Sequence, residues 1–180
     1  MTMEKLLAWD ASVSTRLRVA ENPGPLRTLA AILAHSGDSW FWILALFLVG
    51  WLGKSDWRLW AIIFGAGVFV TATLVMIVKF TVRRGRPEGD WGNIYRRTDP
   101  HSFPSGHATR AFLLATMAVF LGPTWLAIIL VIWAPLVSLA RVAMGVHYIS
   151  DVLVGGLFGI FMGWITSSVA LVLIIGNTAT

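Results

Sequence analysis

Residues 57–81 read WRLWAIIFGAGVFVTATLVMIVKFT and decide the class of the fold. The segment carries two charges, Arg58 and Lys79, and none of the 20 residues between them is charged. A helix of about 20 apolar residues is long enough to cross the hydrocarbon core of a bilayer. The segment is therefore predicted to be a transmembrane helix with a lysine close to its end.

The whole chain has the composition of an integral membrane protein. Of its 180 residues, 57% are hydrophobic and 13% are charged, and the mean hydropathy is +0.74. Soluble domains carry roughly 25% charged residues, so the composition excludes an ordinary soluble fold. The net charge of +5 indicates contact with anions. For a basic protein with several spans, these anions are lipid headgroups or anionic substrates rather than nucleic acid.

Two further classes are excluded by the sequence. The chain has no cysteine, so it has no disulfide, thiolate metal site or cysteine nucleophile. No apolar core of a signal peptide follows Lys5 within the first 25 residues, so no cleavable signal peptide is expected.

The apolar segments predict an all-α, polytopic transmembrane helix bundle of about five to six spans, in one integral membrane domain over residues 1–180. Residues 1–25 mix charged and apolar positions, as in an amphipathic helix that lies in the membrane interface or packs on the core. Residues 26–52 are expected to form the first span in one or two pieces, with Asp38 or Ser39 capping the second piece. The later spans are expected at residues 57–81, 104–121, 124–144 and 148–175.

The last span contains four glycines, which permit a neighbouring helix to pack closely. They are Gly155, Gly156, Gly159 and Gly163.

Three polar clusters are predicted to meet at one membrane face. The second span returns the chain to the side on which it began, and residues 82–103 form the only long polar loop there. The third span starts on that side and the fourth ends on it. Clusters at residues 79–87, 104–107 and 140–151 therefore converge on this loop.

The first cluster, KFTVRRGRP, contains four cations. Cations at the end of a span commonly anchor it by reaching towards the headgroups, and Arg83 and Arg84 are assigned that role. Lys79 and Arg86 are instead assigned to an anion site, because the other two clusters converge on them.

The second cluster, PSGH, stands immediately before an apolar run. Pro104 suits the first turn of a helix, after which Ser105, Gly106 and His107 offer backbone N–H groups that have no helical acceptor. These groups and the helix dipole favour an anion. A plain helix cap at the interface is the alternative, and Arg110 one turn further along favours the anion site.

The third cluster, ARVAMGVHYISD, provides Arg141, His147 and Asp151. His147 and Asp151 are four residues apart, so they share a helix face if the helix begins early enough. A carboxylate that binds one imidazole nitrogen fixes the tautomer and makes the other nitrogen a better nucleophile or base. The alternative is a structural hydrogen bond, but ionisable groups inside a membrane favour a functional role.

The three clusters together suit phosphoryl transfer that needs no metal or cofactor. They provide cations and N–H groups for anionic oxygens, a nucleophile, and an acid for the leaving group. A zinc site is less consistent with a chain that lacks cysteine and has few carboxylates near its histidines. Its candidate ligands are Asp99, His101, His107 and His147.

These clusters resemble the three-part signature of the type 2 phosphatidic acid phosphatase (PAP2) family. That signature is Lys-x6-Arg-Pro, then Pro-Ser-Gly-His, then Ser-Arg-x5-His-x3-Asp, and the order and spacing match here from Lys79 to Asp151. The one departure is Ala140, where the family has serine. Residues 1–78 carry no part of the signature. The membrane spans are unlike the soluble vanadium haloperoxidases of the same family.

The resemblance implies a role for each matched residue. His147 would attack phosphorus and form a phosphohistidine, with Asp151 orienting it, and His107 would protonate the leaving oxygen and later activate water. The residues implied to bind the phosphoryl oxygens are Lys79, Arg86, Ser105, Gly106 and Arg141.

The implied activity is hydrolysis of a phosphomonoester or diphosphate on a membrane lipid such as undecaprenyl diphosphate, phosphatidate or phosphatidylglycerol phosphate. A lipid phosphotransferase would use the same phosphohistidine with another acceptor. An anion transporter is a third hypothesis, but the ionisable residues gather at one face instead of lining a path through the spans. No pattern in the sequence indicates an oligomeric state.

Charge and resemblance disagree about the side of the membrane. Most lysines and arginines outside the candidate site, Arg96 and Arg97 among them, lie on the same side as the site. By the positive-inside rule this places the site in the cytoplasm. The resemblance implies the outer face of a bacterial cell membrane. Because phosphate-binding arginines are poor reporters of topology, we favour the extracytoplasmic face.

Overall fold

The computed structural model describes residues 2–89, 91 and 99–178, with side chains up to residue 174. Asp90, Arg96, Arg97 and the rest of the predicted polar loop between residues 92 and 98 lie outside the described residues. The described part contains seven helices and, apart from an isolated bridge between Gly85 and His101, no paired β-structure. The helices are α1 (Met3–Arg16), α2 (Pro25–Ser36), α3 (Ser39–Leu52), α4 (Ser55–Val82), α5 (Gly106–Leu121), α6 (Thr124–Ala143) and α7 (Ile149–Thr178).

The predicted all-α membrane bundle is confirmed, and the spans differ in length. Helices α4, α6 and α7 are each long and apolar enough to cross a bilayer. Helices α2 and α3 pass the same test only as a pair, which is bent by 52° at the break between them. Helix α5 is apolar but has 16 residues, or roughly 24 Å at the usual helical rise. The predicted first span is therefore two helices, and the predicted third span is shorter than a full crossing.

Helix α5 is the centre of the bundle. It contacts α4, α6 and α7, and its apolar side chains form most of the main core. The fully buried ones are Ala108, Ala111, Leu113, Leu114, Met117 and Ala118. Helix α3, in contrast, buries none of its residues and exposes a continuous apolar surface, as expected of a helix that faces lipid.

Helix α7 packs against α5 through its glycines, as the sequence predicts. A Cβ atom at Gly155 would lie 2.7 Å from the carbonyl oxygen of Ser105, and one at Gly163 would lie 2.7 Å from Cβ of Thr116. A Cβ at Gly159 would overlap the backbone of α5. The missing side chains therefore let the start of α5 lie against the start of α7.

Helix α1 is shorter than the predicted amphipathic segment at residues 1–25. It ends at Arg16, and the chain beyond it is held by a hydrogen bond from the N–H of Val19 to the carbonyl oxygen of Ala143. The helix exposes Leu7 and Trp9, whereas its buried residues are polar. The exposed side mixes these apolar side chains with Glu4, Lys5 and Arg16, as expected of a helix at the membrane interface, and the buried polar residues are explained by the site that they touch.

Candidate active site

The ends of α4, α5, α6 and α7 bring the three polar clusters together. Nη1 of Arg86 lies 3.2 Å from Nε2 of His147, which joins the first cluster to the third. The N–H of Ser105 donates to the carbonyl oxygen of Asp151 over 3.0 Å, which joins the second cluster to the third. Residues far apart in the chain thus form one buried polar centre.

Lys79 and Arg86 bind the same carboxylate oxygen. Oδ2 of Asp99 lies 2.5 Å from Nζ of Lys79 and 2.7 Å from Nη2 of Arg86. Both cations are nearly fully buried, whereas the Asp99 side chain is 34% exposed. Asp99 was considered in the sequence only as a zinc ligand, and here it pairs with two cations. A single anionic oxygen at this position is therefore within reach of both cations.

His147 lies before α7 and not within it, because the helix begins at Ile149. The shared helix face expected for His147 and Asp151 is therefore absent. The two side chains nevertheless meet, with Nδ1 of His147 3.6 Å from Oδ2 of Asp151. The same carboxylate oxygen accepts the N–H of Tyr148 over 2.9 Å, so Asp151 also binds the backbone of the loop that precedes α7.

The surroundings of His147 favour its neutral form. Burial lowers the pKa of the His147 imidazole well below its usual range, and the charges of Arg86, Arg141 and Lys79 lower it further. A guanidinium can only donate, so the contact with Arg86 requires Nε2 to carry the lone pair. The proton of the neutral ring then lies on Nδ1, which faces Asp151.

Arg84 is part of the site, so its assignment as a membrane anchor was wrong. Its Nη1 donates to Oδ1 of Asp151 over 2.7 Å and to Oγ of Ser150 over 2.6 Å. Its guanidinium carbon also lies 4.0 Å from the ring centroid of Tyr148. Arg84 therefore holds Asp151 from the side opposite His147.

Helix α1 caps the start of α7. Oδ1 of Asp10 accepts the N–H of Ser150 over 3.1 Å, and Oγ of Ser14 accepts the N–H of Ile149 over 2.9 Å. Oδ2 of Asp10 pairs with Nη2 of Arg84 over 2.7 Å. The first N–H groups of a helix need acceptors of this kind. A helix outside the sequence signature thus supports the one that carries Asp151.

The PSGH segment begins α5 differently from the prediction. The helix starts at Gly106 with Ser105 as its N-cap, so Pro104 precedes the helix and does not occupy its first turn. Oγ of Ser105 accepts the N–H of Ala108 over 3.4 Å, and the N–H of Ser105 is taken by Asp151. The N–H groups at the start of α5 that remain without a helical acceptor are therefore those of Gly106 and His107.

His107 has a carboxylate partner that the sequence did not indicate. Its Nε2 lies 2.8 Å from Oδ1 of Asp38, and the other oxygen of Asp38 lies 3.0 Å from Nδ1 of His35. Asp38 precedes α3 but makes no capping hydrogen bond with a described residue, so the predicted cap is replaced by this bridge. Both histidines of the candidate site are therefore paired with an aspartate.

The predicted site residues divide into those that line a cavity and those that lie behind it. Lys79, Gly106, His107 and His147 line a cavity of about 160 Å³, together with Asp99 and Arg110. Arg86 contacts His147, which lines the cavity, but does not line the cavity itself. The predicted site residues that do not line it are Arg86, Ser105, Arg141 and Asp151, all almost completely buried. Arg141 ends α6.

No group of three histidine or acidic side chains in the described part of the chain is arranged to hold a metal ion. The four residues considered as zinc ligands are used differently. Asp99 pairs with cations, His107 pairs with Asp38, and the carbonyl oxygen of His101 accepts Nζ of Lys79 over 2.9 Å.

A second, larger cavity opens from the first between α3 and α4. It has a volume of about 740 Å³ and shares Ser39, Val68, Ala72 and Arg110 with the smaller cavity. Its remaining lining is apolar and aromatic, including Ile43, Leu46 and Phe47. The cavity at the site therefore adjoins an apolar groove along the lipid-facing helix α3.

Three functional contacts were missed in the sequence, those of Asp10, Asp38 and Arg84. Asp10 and Ser14 are four residues apart in a helix, a spacing that places two hydrogen-bonding groups on one face. Asp38 stands between two apolar helices that are short for a span, where a carboxylate is costly without a partner. Arg84 carried no local signal that separated it from its neighbour Arg83.

Comparison with known proteins identifies similar sequences and folds. The PAP2 superfamily profile matches residues 59–174. Decaprenylphosphoryl-5-phosphoribose phosphatase of Mycobacterium tuberculosis is 34% identical over 158 residues, which cover 87% of this chain and 87% of that protein. Lipid A 1-phosphatase of Rhizobium etli is 30% identical in an alignment that covers 93% of this chain and 78% of that protein.

Two crystal structures share the fold at low sequence identity. A transmembrane PAP2-type phosphatidylglycerolphosphate phosphatase from Bacillus subtilis superposes with a TM-score of 0.73 at 22% identity, covering 91% of this chain and 85% of that one. LpxE of Aquifex aeolicus superposes with a TM-score of 0.66 at 24% identity, covering 86% and 92% of the two chains.

Proposed function

The chain belongs to the PAP2 superfamily, and we propose that it is an integral membrane phosphatase that removes a terminal phosphate from a lipid through a phosphohistidine on His147, without a metal ion. The observation that carries the proposal is the environment of His147. Its neutral ring lies between Asp151 and Arg86 at the wall of a cavity that also presents Lys79 and His107.

In the first step, Nε2 of His147 attacks phosphorus, and the bond between phosphorus and the lipid oxygen breaks. The electrons of that bond go to the lipid oxygen, which takes a proton from His107. His147 gains positive charge as the P–N bond forms, and the carboxylate of Asp151 stabilises it. This arrangement supplies a nucleophile, a carboxylate that orients it, and an acid for the leaving group, as covalent catalysis requires.

The negative charge of the transferring phosphoryl group needs donors that are already in place. Lys79 and Arg86 contact one carboxylate oxygen of Asp99 together, so we assign both to a phosphoryl oxygen. The N–H groups of Gly106 and His107 at the start of α5 supply further donors. Arg141 contributes its charge from behind His147, and Ser105 holds the start of α5 in place.

In the second step, His107, now neutral, takes a proton from water, and the water oxygen attacks phosphorus. The P–N bond breaks, its electrons return to Nε2 of His147, and inorganic phosphate leaves. A lipid phosphotransferase would replace this water with the hydroxyl of a second substrate.

The apolar groove supports a lipid substrate. The groove has a volume of about 740 Å³ and lies between α3 and α4. It adjoins the catalytic cavity at Ser39 and Arg110. A headgroup phosphate in the small cavity would leave its hydrocarbon chain in this groove. The named activities of the relatives agree with lipid phosphates as a class. Because these relatives are bacterial, we place the protein in a bacterial cell membrane, and its extracytoplasmic orientation stays a prediction.

The test is release of inorganic phosphate by the detergent-purified protein from phosphatidate, phosphatidylglycerol phosphate and undecaprenyl diphosphate, with EDTA throughout. We expect release that EDTA does not affect. We expect His147→Ala to lower it by a factor of at least about 10⁴, since removal of a covalent nucleophile has effects of this size. A protein labelled from a radioactive terminal phosphate should lose the label in acid and keep it in alkali, as a phosphohistidine does.

His101→Ala is the matched control, because the His101 ring contacts Phe80 and only its backbone carbonyl binds Lys79. It should keep activity close to that of the wild type. Loss of activity with EDTA would contradict the metal-independent mechanism. Full activity of His147→Ala would contradict the assigned nucleophile. Phosphate transfer that requires an added alcohol would identify a phosphotransferase.

A further inference from the structure

Arg110 lies at the junction of the catalytic cavity and the apolar groove. It follows His107 by three residues on α5, so it stands one helical turn further into the bundle. Its side chain lines both cavities. Arg110 is not part of the PAP2 signature, and no step of the proposed mechanism uses it.

The groove has little other polarity. Apart from the indole of Trp51, Ser39 and Arg110 are the polar side chains that line it, and both belong to the end that it shares with the catalytic cavity. A charged group at this position is exposed to the part of a lipid that lies between its reacting phosphate and its hydrocarbon chain.

The charge of Arg110 has no direct counter-ion among the described residues. Within the described part of the chain, its one side-chain hydrogen bond runs from Nη1 to Oγ of Ser39 over 2.5 Å, and its buried Nε has no acceptor. No carboxylate there lies within 4.0 Å of it, and Asp38, whose oxygens bind His107 and His35, attracts it only from a greater distance. A guanidinium in such surroundings is suited to two-point binding of a phosphate.

We propose that Arg110 binds a second phosphate, located on the lipid side of the phosphate that is removed. The inference rests on the proposed function and names its substrate class. His107 protonates the leaving oxygen, so the leaving group lies on the His107 side of the cavity, and Arg110 is the next cation along that side towards the groove. The preferred substrates are therefore lipids with two phosphates in series, such as lipid diphosphates. Phosphatidate, with one phosphate, does not use Arg110.

The experiment compares two substrates that differ only in the second phosphate, dioleoyl phosphatidate and dioleoylglycerol diphosphate. Values of kcat/KM are measured for both in detergent with EDTA, for the wild type, Arg110→Gln and Arg110→Lys. Because an acid anhydride is more reactive than an ester, the relevant quantity is the ratio of the two kcat/KM values in each protein. We expect Arg110→Gln to lower the ratio of diphosphate to phosphatidate by about 10- to 100-fold, the usual effect of losing a charged hydrogen bond.

Arg110→Lys keeps the charge and loses the two-point geometry, so its ratio should lie between those of the wild type and Arg110→Gln. Arg58→Gln is the matched control. Arg58 is exposed near the opposite end of α4 and contacts the carbonyl oxygens of Gly53 and Trp51, so its ratio should stay at the wild-type value.

An unchanged ratio in Arg110→Gln would overturn the inference and leave the proposed function intact. Equal losses with both lipids would also overturn it, because Arg110 would then act on the reacting phosphate or on the fold. No phosphate release from either lipid by the wild type would overturn the proposed function itself, and with it this inference.

Discussion

The two histidines of the cavity are supported by different parts of the molecule. His147 faces Asp151, which is completely buried and held by Arg84 and the N–H of Tyr148. His107 faces Asp38, whose side chain is 20% exposed and whose other partner is the exposed ring of His35. The first pair is enclosed in the protein interior, and the second lies at the break between two helices.

This difference fits the two proposed roles. A nucleophile must approach phosphorus along one direction, so a locked partner is useful. An acid that serves the leaving group and then water works at the side of the cavity where substrate enters and product leaves. Each pair can be tested separately, and the effects should differ in size and in their dependence on the leaving group.

Among the aspartate variants, Asp151→Asn should have the largest effect. The amide keeps the shape of the side chain but does not stabilise the positive charge that His147 gains, so kcat should fall by about 10²- to 10⁴-fold. The loss should be the same for phosphatidate and for p-nitrophenyl phosphate, because the nucleophile attacks in both reactions. Steady-state kinetics with the two substrates measures it. A loss restricted to phosphatidate would show that Asp151 acts on the leaving group instead.

Asp38→Asn should have an intermediate effect that depends on the substrate. An alkoxide leaving group needs the proton of His107, so we expect a loss of about 10- to 100-fold with phosphatidate, part of the usual contribution of an acid catalyst. Nitrophenolate leaves without a proton, so the loss with p-nitrophenyl phosphate should be small. The ratio of the two losses is the measurement.

The control for this variant is Asp56→Asn, which removes an exposed carboxylate from the first turn of α4. It should leave both rates unchanged. Equal losses of Asp38→Asn with both substrates would contradict the pairing of Asp38 with the acid.

Asp10→Asn should have the smallest effect on the reaction. Its carboxylate caps α7 and pairs with Arg84, which contacts Asp151, so Asp10 is three contacts away from His147. Loss of a helix cap costs about 1 kcal/mol, so the melting temperature should fall and kcat should fall by tenfold or less. Thermal unfolding and kinetics on the same preparation check this. Glu4→Gln, an exposed change on the same helix, should affect neither.

A loss in Asp10→Asn as large as that in Asp151→Asn would place Asp10 in direct contact with the chemistry, against the observed geometry. No change in either stability or rate would show that the contact between α1 and α7 is not maintained in the membrane.

Much of the fold followed from local pattern. Apolar length and the charge-free segment between Arg58 and Lys79 identify membrane helices, because a bilayer selects for length and hydropathy whatever the neighbours are. The boundaries were less predictable. Helix α1 stops at Arg16 because the next residues bond to the end of α6, which is a tertiary contact. Pro104 stays outside α5 because Ser105 is bound to Asp151 and takes the cap.

The sequence by itself determined the membrane class, the order of the helices and the three clusters from Lys79 to Asp151. Each of these depends on spacing along one or two neighbouring segments. The roles assigned to the cluster residues stay predictions until the variants are measured. Only the tertiary structure paired Asp38 with His107, brought Asp10 and Arg84 to Asp151, and placed Arg110 between the cavity and the groove. The partners in these contacts are many residues apart, and a charged side chain in a membrane takes whichever partner the packed helices bring within reach.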